Sequence, residues 1–275
     1  MTVLQIFDVE HGGCALLTCE NGMRMMIDCG HNATMPWYPG EHLRQLNVRR
    51  LDMLVVTNYD QDHVSGFPNL VDNVSIGNIV RNTSVGPQTI RQLKSEDGVV
   101  SVAMNRFIYA IQHHFGPPGA APALSFPGVE WSVHCNPYPT FEDENNLSLV
   151  LRLRVGHITF LFPGDLESAG WRHLLATDRD FANAMRDITV LVAAHHGRLS
   201  GIETDLFDVY GCRPEVVVIS DDYRQHDTQE TTDYYRNKCS GIRGFRGGAE
   251  ERRVLTTRQD GELTFRWDAN GCRVT

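Results

Sequence analysis

The sequence predicts an α/β protein built as an αββα sandwich, with two mixed β-sheets packed face to face and helices outside. Three observations predict it. Short apolar segments, broken by polar or glycine-containing turns, recur through both halves of the chain. Segments with helical spacing fall between them, and chemically active side chains repeatedly follow the ends of the apolar segments. Strands that are apolar throughout need cover on both faces, which a shared core between sheets and outer helices supply.

Val3–Val9, Cys14–Cys19 and Arg24–Asp28 read as short strands, separated by the His11-Gly12-Gly13 and Glu20-Asn21-Gly22 turns. A short helix is expected over Pro39–Leu46, then strands over 52–57 and 76–82, and helical spacing around 100–114. The stretch Phe115-Gly116-Pro117-Pro118-Gly119-Ala120-Ala121-Pro122 is the candidate hinge, giving one domain with halves of roughly 1–120 and 121–275. Beyond it, Val129–Cys135 reads as a strand, and Ser148–Val155 with His157–Phe162 as a hairpin turning at Gly156. Glu167–Ala176 is expected to be helical, Ile188–Ala194 and Val216–Ile219 to be buried strands, and Thr228–Asn237 another helix. Strands near Arg253–Thr257 and Leu263–Trp267, around an Asp260-Gly261 turn, close the chain.

The 275 residues suffice for one large core, and 41% hydrophobic with 21% charged residues is ordinary for a globular protein. Nothing approaches 18 uninterrupted apolar residues, and the N-terminus lacks a basic region, so neither a membrane span nor a signal peptide is expected. Seven cysteines, odd in number and without a C-x-x-C pair, point to reduced thiols in a cytoplasmic protein. A net charge of −9 argues against broad, non-specific nucleic-acid binding. The local cluster Arg243, Arg246, Arg252 and Arg253 is read first as a solvated loop.

The chemistry is concentrated after strand ends. Thr57-Asn58-Tyr59-Asp60-Gln61-Asp62-His63 follows the apolar run 51–56. Pro163-Gly164-Asp165 follows the strand at 157–162, and His195-His196-Gly197 the strand at 188–194. Ser220-Asp221-Asp222, with His226 a few residues on, follows the strand at 216–219. Loops beyond the carboxyl ends of strands gather on one rim of a sheet, where ligands bind. Asp60 and Asp62 would repel, and desolvation adds to the cost unless a cation lies between them. Carboxylates with imidazoles suit Zn, Mn or Fe, so these loops are expected to hold one or two divalent ions.

Thr57–Gly66 resembles the metallo-β-lactamase-fold signature H-x-H-x-D-H followed by a glycine. With the later Gly164-Asp165 and His195-His196-Gly197, it is similar to the hydrolase domain of ComEC-type DNA-uptake proteins and their stand-alone relatives. Phe7-Asp8-Val9-Glu10-His11-Gly12-Gly13-Cys14-Ala15 resembles that group's D-V-G-Q-G-D-A opening, Met26-Ile27-Asp28-Cys29-Gly30 its I-D-C-G element, and Asn145–Leu151 its N-x-S-L-V-L strand.

The resemblance implies a metal-dependent hydrolase, with a phosphodiester or nucleic acid as the expected substrate and an operon-encoded protein as a candidate partner. Asp62 and His63 would hold the second metal, Asp165 would bridge both, and one of His195 and His196 would complete a site, the pattern favouring His195. Asp60 and Asn58 stand where the family has histidines, so the first site is expected to be oxygen-rich and weakened. A metal lowers the pKa of bound water to about 7, giving hydroxide at neutral pH. Asp62 or Asp60 would orient that water, and His196 or His226 would protonate the leaving group. Arg198 is placed to clamp an anionic substrate, and Asn146 lies near the position of an expected ligand. Three alternatives stay open: an active diesterase, a catalytically weakened binding or regulatory module, and an ester or lactone hydrolase. His11 and Asp8 are read as supports of the site, and His113, His114, His134 and His157 as structural or surface histidines.

Overall fold

The computed structural model describes residues 1–96, 98–115, 124–222, 230–269 and 271–275. The first half supplies β1 (Thr2–Ile6), β2 (Ala15–Thr18), β3 (Arg24–Ile27), β4 (Arg50–Leu51), β5 (Met53–Val55), β6 (Ser75–Ile76) and β7 (Ile79–Val80). The second supplies β8 (Val129–Cys135), β9 (Leu149–Val155), β10 (Ile158–Phe162), β11 (Val190–Val192), β12 (Val216–Ile219), β13 (Val254–Thr256), β14 (Leu263–Asp268) and β15 (Gly271–Val274). One sheet runs β15-β14-β1-β2-β3-β5-β7, the other β13-β12-β11-β10-β9-β8, and β4 pairs with β6 apart from both.

The expected hairpin forms between β9 and β10, with Gly156 at φ 60 in its turn. From β10 to β13 every pairing is parallel, which suits strands as apolar as Val216-Val217-Val218-Ile219, all buried. The alternation along β9 sends Leu149, Leu151, Leu153 and Val155 to the inter-sheet core and Val150 to the opposite face. That shared core joins Leu4, Ile6, Met25, Ile27, Met53 and Val55 of one sheet to Phe160, Phe162, Val190, Val218 and Leu255 of the other. Beyond the first sheet, Leu43, Phe67, Leu70, Phe107 and Ile108 pack on Leu16, Met26 and Leu54. Beyond the second, Trp171, Leu174, Phe181 and Phe207 pack on Leu161, Leu191 and Val217. Four layers, helix on sheet on sheet on helix, result. Among the described residues no helix is long and apolar enough to cross a membrane.

Two features go beyond the sequence reading. The strands either side of Asp260-Gly261 are not partners: β13 lies at the edge of the second sheet, while β14 crosses to pair antiparallel with β1. Periodicity cannot distinguish a turn that joins partners from one that changes sheets. A helix at Pro87–Glu96 also precedes the expected one, found at Val102–His113. All of the candidate hinge except Phe115, and the start of the expected 228–237 helix, lie outside the described residues; the helix itself is seen at Thr232–Arg236.

Candidate metal centre

Beyond β5 the chain turns into a single helical turn, Gln61–Val64, which carries Asp62 and His63. Beyond β10, Gly164 at φ 59 bends the chain so that Asp165 faces back toward the first sheet; a Cβ on Gly164 would meet the Thr57 side chain at 3.0 Å. Beyond β11, His195 and His196 adopt left-handed conformations, φ 50 and 53, before Gly197 at φ 74. Such geometry in non-glycine residues costs about 1–3 kcal/mol each and persists only where surrounding bonds hold it. Here the His195 N–H donates to the Gly164 carbonyl at 3.1 Å, and the Thr231 hydroxyl donates to the Gly197 carbonyl.

These loops bring Asp62, His63, Asp165 and His196 together, with one ligand-competent atom from each lying within 4.8 Å of the others. His63 Nε2 lies 3.0 Å from Asp165 Oδ1, and His196 Nε2 lies 3.3 Å from the same oxygen and 3.2 Å from Asp62 Oδ2. The opposite nitrogen of each ring is anchored. His63 Nδ1–H donates to Asp28 Oδ2 at 2.9 Å, and His196 Nδ1–H to the Ser220 carbonyl at 3.1 Å. Asp28 is fixed in turn by the Thr57 N–H at 2.7 Å and the Thr57 hydroxyl at 2.5 Å. Gly13 allows this packing, since a Cβ there would meet Asp28 Oδ2 at 2.9 Å and His63 Nδ1 at 3.2 Å.

The donor set asks for a cation. With Nδ1 carrying the proton, each Nε2 presents a lone pair to carboxylate oxygens, and His196 Nε2 is buried without a hydrogen bond. Two lone pairs facing carboxylates are repulsive unless a proton or a metal ion intervenes. The same tension sets the protonation of the bare cluster. Burial opposes charge on both rings, but Asp165 and Asp28 raise His63 well above its usual value, and Asp165 with Asp62 pushes His196 up to about 10. Against the same burial, the two imidazoles hold Asp165 well below the usual carboxylate range, and His196 lowers Asp62. Two imidazoles and two carboxylates fit a divalent ion of the Zn or Mn type, with Asp28 and Ser220 orienting the rings.

Other residues singled out from the sequence lie elsewhere. His195 is not in the cluster: its Nδ1 meets Ser200 Oγ at 3.0 Å and Glu167 Oε1 at 3.2 Å, and its Nε2 accepts from Arg198 at 3.1 Å. The choice between the two histidines therefore falls on His196. His196 Nδ1 is taken by the Ser220 carbonyl, and its Nε2 faces Asp62 and Asp165 inside the cluster. Arg198 Nη1 donates to His195 Nε2. Asn58 staples the loop instead of offering its oxygen to an ion: Oδ1 accepts from Asp60 N at 2.6 Å and Nδ2 donates to Ser148 Oγ at 2.9 Å. Asp60 pairs with Lys94 at 2.6 Å. Asn146 is buried, accepting from Gly170 N at 2.7 Å and donating to Asp143 at 3.1 Å, so it supports a helix start rather than a substrate. His226 lies outside the described residues.

Sequence reasoning gave no role to Asp28, although the Ile27-Asp28-Cys29-Gly30 motif drew attention to it; an acid ending an apolar strand was the available signal. Glu144 and Lys94 carried no signal, and the structure joins them at 2.6 Å. A cleft of about 530 Å³ runs past the cluster, lined by Asp62, Asp60, Lys94, His11, His31 and Ser101, with Val99, Val100 and Met104 as its apolar wall. The Arg243–Arg253 run is internally paired: Arg252 with Asp260 at 2.8 Å and Arg253 with Glu251 at 3.0 Å, while Arg246 and Arg252 lie over Phe245.

Layers, topology and the cluster on the rim give the chain a metallo-β-lactamase fold. No family model matches the chain. It is 21% identical over 263 residues to ComE operon protein 3 of Bacillus subtilis, covering 89% of this chain and 30% of that protein. It is 31% identical over 90 residues to Ribonuclease Z of Lachnospira eligens, covering 32% of this chain and 28% of that protein. The chain thus spans less than a third of the length of the curated relatives it matches. Among solved structures, a mutant of CmlA beta-hydroxylase superposes over 96% of this chain and 54% of its own, with a TM-score of 0.50 and 12% identity, a likeness of fold.

Proposed function

We propose that this protein is a divalent-metal-dependent hydrolase of phosphodiesters, with phosphodiesterase or nuclease-type activity. The observation that carries the reading is the convergence of His63 Nε2 and His196 Nε2 on Asp165 Oδ1, with each opposite nitrogen locked by an acceptor. Rings held in one tautomer with their lone pairs aimed at a common point form a preorganised ion site. A bound divalent ion supplies Lewis acidity and lowers the pKa of water there.

The chain's own residues supply the rest. Asp62 is the ligand that borders the cleft, so its carboxylate is placed to orient an attacking water and accept its proton. His11 and His31 line the same cleft, with Val99, Val100 and Met104 along its apolar side. A phosphodiester is favoured over a carboxylic ester by the partial likeness to a ribonuclease. A cytoplasmic setting fits seven free cysteines.

The test is hydrolysis of bis-p-nitrophenyl phosphate by protein loaded with Zn²⁺ or Mn²⁺, alongside Asp165→Asn. Diester turnover lost in the variant supports the proposal. Metal binding without diester turnover would instead identify a binding module, and turnover of esters or lactones alone a different hydrolase.

A further inference from the structure

Beside the cluster lies a second set of acids already supplied with a cation. Lys94, in the last turn of the helix Pro87–Glu96, places Nζ 2.6 Å from Asp60 Oδ1 and 2.6 Å from Glu144 Oε1. The three side chains are only 14%, 25% and 19% exposed. Asn58 ties the two acid-bearing loops together, its Nδ2 donating to the Glu144 carbonyl at 3.3 Å and its Oδ1 accepting from Asp60 N at 2.6 Å. Ser148 continues the link, accepting from Asn58 at 2.9 Å and from the Asp165 N–H at 3.2 Å. The triad therefore adjoins the ion site through a single hydroxyl.

We infer that the Lys94 ammonium, held between Asp60 and Glu144, takes the place of a second metal ion, so that the centre holds one divalent ion per chain. This rests on the reading of Asp62, His63, Asp165 and His196 as a metal centre. Two half-buried carboxylates on one nitrogen need positive charge between them, because like charges a few ångströms apart repel strongly once partly desolvated. A divalent ion would have to evict Lys94 and strip its own hydration shell for a site whose amide, Asn58, is already hydrogen-bonded. The balance of charges agrees. Burial disfavours charge on Lys94, but Asp60 and Glu144 outweigh it and raise the ammonium's pKa. Helix-end carbonyls beside a lysine in the last turn add in the same direction.

The experiment is a zinc titration of the full chain followed by native mass spectrometry, on wild type, Lys94→Met, and Lys94→Met combined with Asp60→Asn and Glu144→Gln. Wild type is expected to saturate at one Zn²⁺. Removing the ammonium leaves two unneutralised carboxylates, and Lys94→Met is expected to take up a second ion. The triple variant removes both of these carboxylates and is expected to return to one, even where the single variant proves too unstable to purify. Two ions on wild type would overturn the inference while leaving the hydrolase reading intact, as would one ion on a folded Lys94→Met. No ion on wild type would overturn the metal centre itself and this inference with it. One ion without diesterase activity would sink only the proposed reaction, and the assignment of Lys94 would stand.

Discussion

Replacing Asp28 with asparagine separates the orientation of a ligand from its presence. Asp28 accepts three hydrogen bonds: Thr57 N–H at 2.7 Å, Thr57 Oγ1–H at 2.5 Å and His63 Nδ1–H at 2.9 Å. An asparagine can keep its oxygen on the Thr57 N–H, and the Thr57 hydroxyl can rotate to accept from the new amide. His63 cannot adapt so easily. Its Nδ1–H would confront an N–H group, and relief requires the proton to move to Nε2, the atom now 3.0 Å from Asp165. The lone pair that would hold an ion is then lost. Removing an acceptor behind a metal-binding histidine costs 10–100-fold in affinity, about 1.4–2.8 kcal/mol. Zn²⁺ affinity measured by competition with a chromophoric chelator should therefore weaken by that factor in Asp28→Asn. Thr57→Val, which removes only the hydroxyl, should weaken it less. An Asp28→Asn affinity within threefold of wild type would refute the claim that the Asp28–His63 bond sets the tautomer.

Zinc at 100 times its dissociation constant should stabilise the fold by about 2.7 kcal/mol, seen as a rise in melting temperature of several degrees that EDTA reverses and Asp165→Asn abolishes. Phe160→Ala removes a buried ring packed on Phe265 and Trp267 in the inter-sheet core, and urea denaturation should show a loss of about 3–5 kcal/mol. Asn82→Ala strands the Asn136 and Leu147 carbonyls, which its amide reaches at 2.8 and 2.9 Å, and should cost about 1–3 kcal/mol in the same assay. Burial pushes Asp221 up to about 6 from 3.8, against the opposing charge of Arg258. The folded chain therefore holds that proton more tightly than the unfolded chain, so this group's contribution to stability falls as pH rises from about 4 to 6 and stays low above. Asp221→Asn should flatten that part of a urea-midpoint profile measured in EDTA, and an unchanged slope would contradict the assignment.

The layered fold was legible because its signals are local. Alternation in 149–155, an apolar run at 216–219 and a glycine at 156 each announce their own element. Clustering of Asp62, His63 and Asp165 was legible for a similar reason: acids and imidazoles ending buried strands need partners. Selection within the cluster was not. His195 and His196 are adjacent and chemically identical, and only the left-handed backbone at both decides which ring enters the centre. Asn58 and Asp60 looked like ligands because they sit in the right loop, yet their partners are Ser148 and Lys94, the latter 34 residues away from Asp60 on a helix whose sequence carries no chemical mark. Crossing of β14 to the first sheet was hidden too, since a strand's pattern names a buried face and not the sheet that owns it.

The position of the cluster between the sheets has a consequence for folding. Asp62 and His63 are delivered by β5 of the first sheet, Asp165 and His196 by β10 and β11 of the second. Hydrogen bonds between the sheets' loops also cross here: Leu149 N–H donates to the Thr57 carbonyl at 2.7 Å, Asn58 Nδ2 to Ser148 Oγ at 2.9 Å, and the Ser220 hydroxyl to the Gly12 carbonyl at 2.7 Å. Without an ion the ligand side chains meet across this rim as imidazolium–carboxylate contacts, His63 with Asp165 and His196 with Asp62, which depend on both histidines staying protonated. An ion replaces those protons with bonds that span the sheets, so its binding free energy acts on the docking of one sheet against the other and not only on a loop. Amide hydrogen exchange on loading with zinc should therefore slow in β5 and β11 together. Slowing confined to the Gln61–Val64 turn would mean that the ion orders its own loop and does not clamp the sandwich.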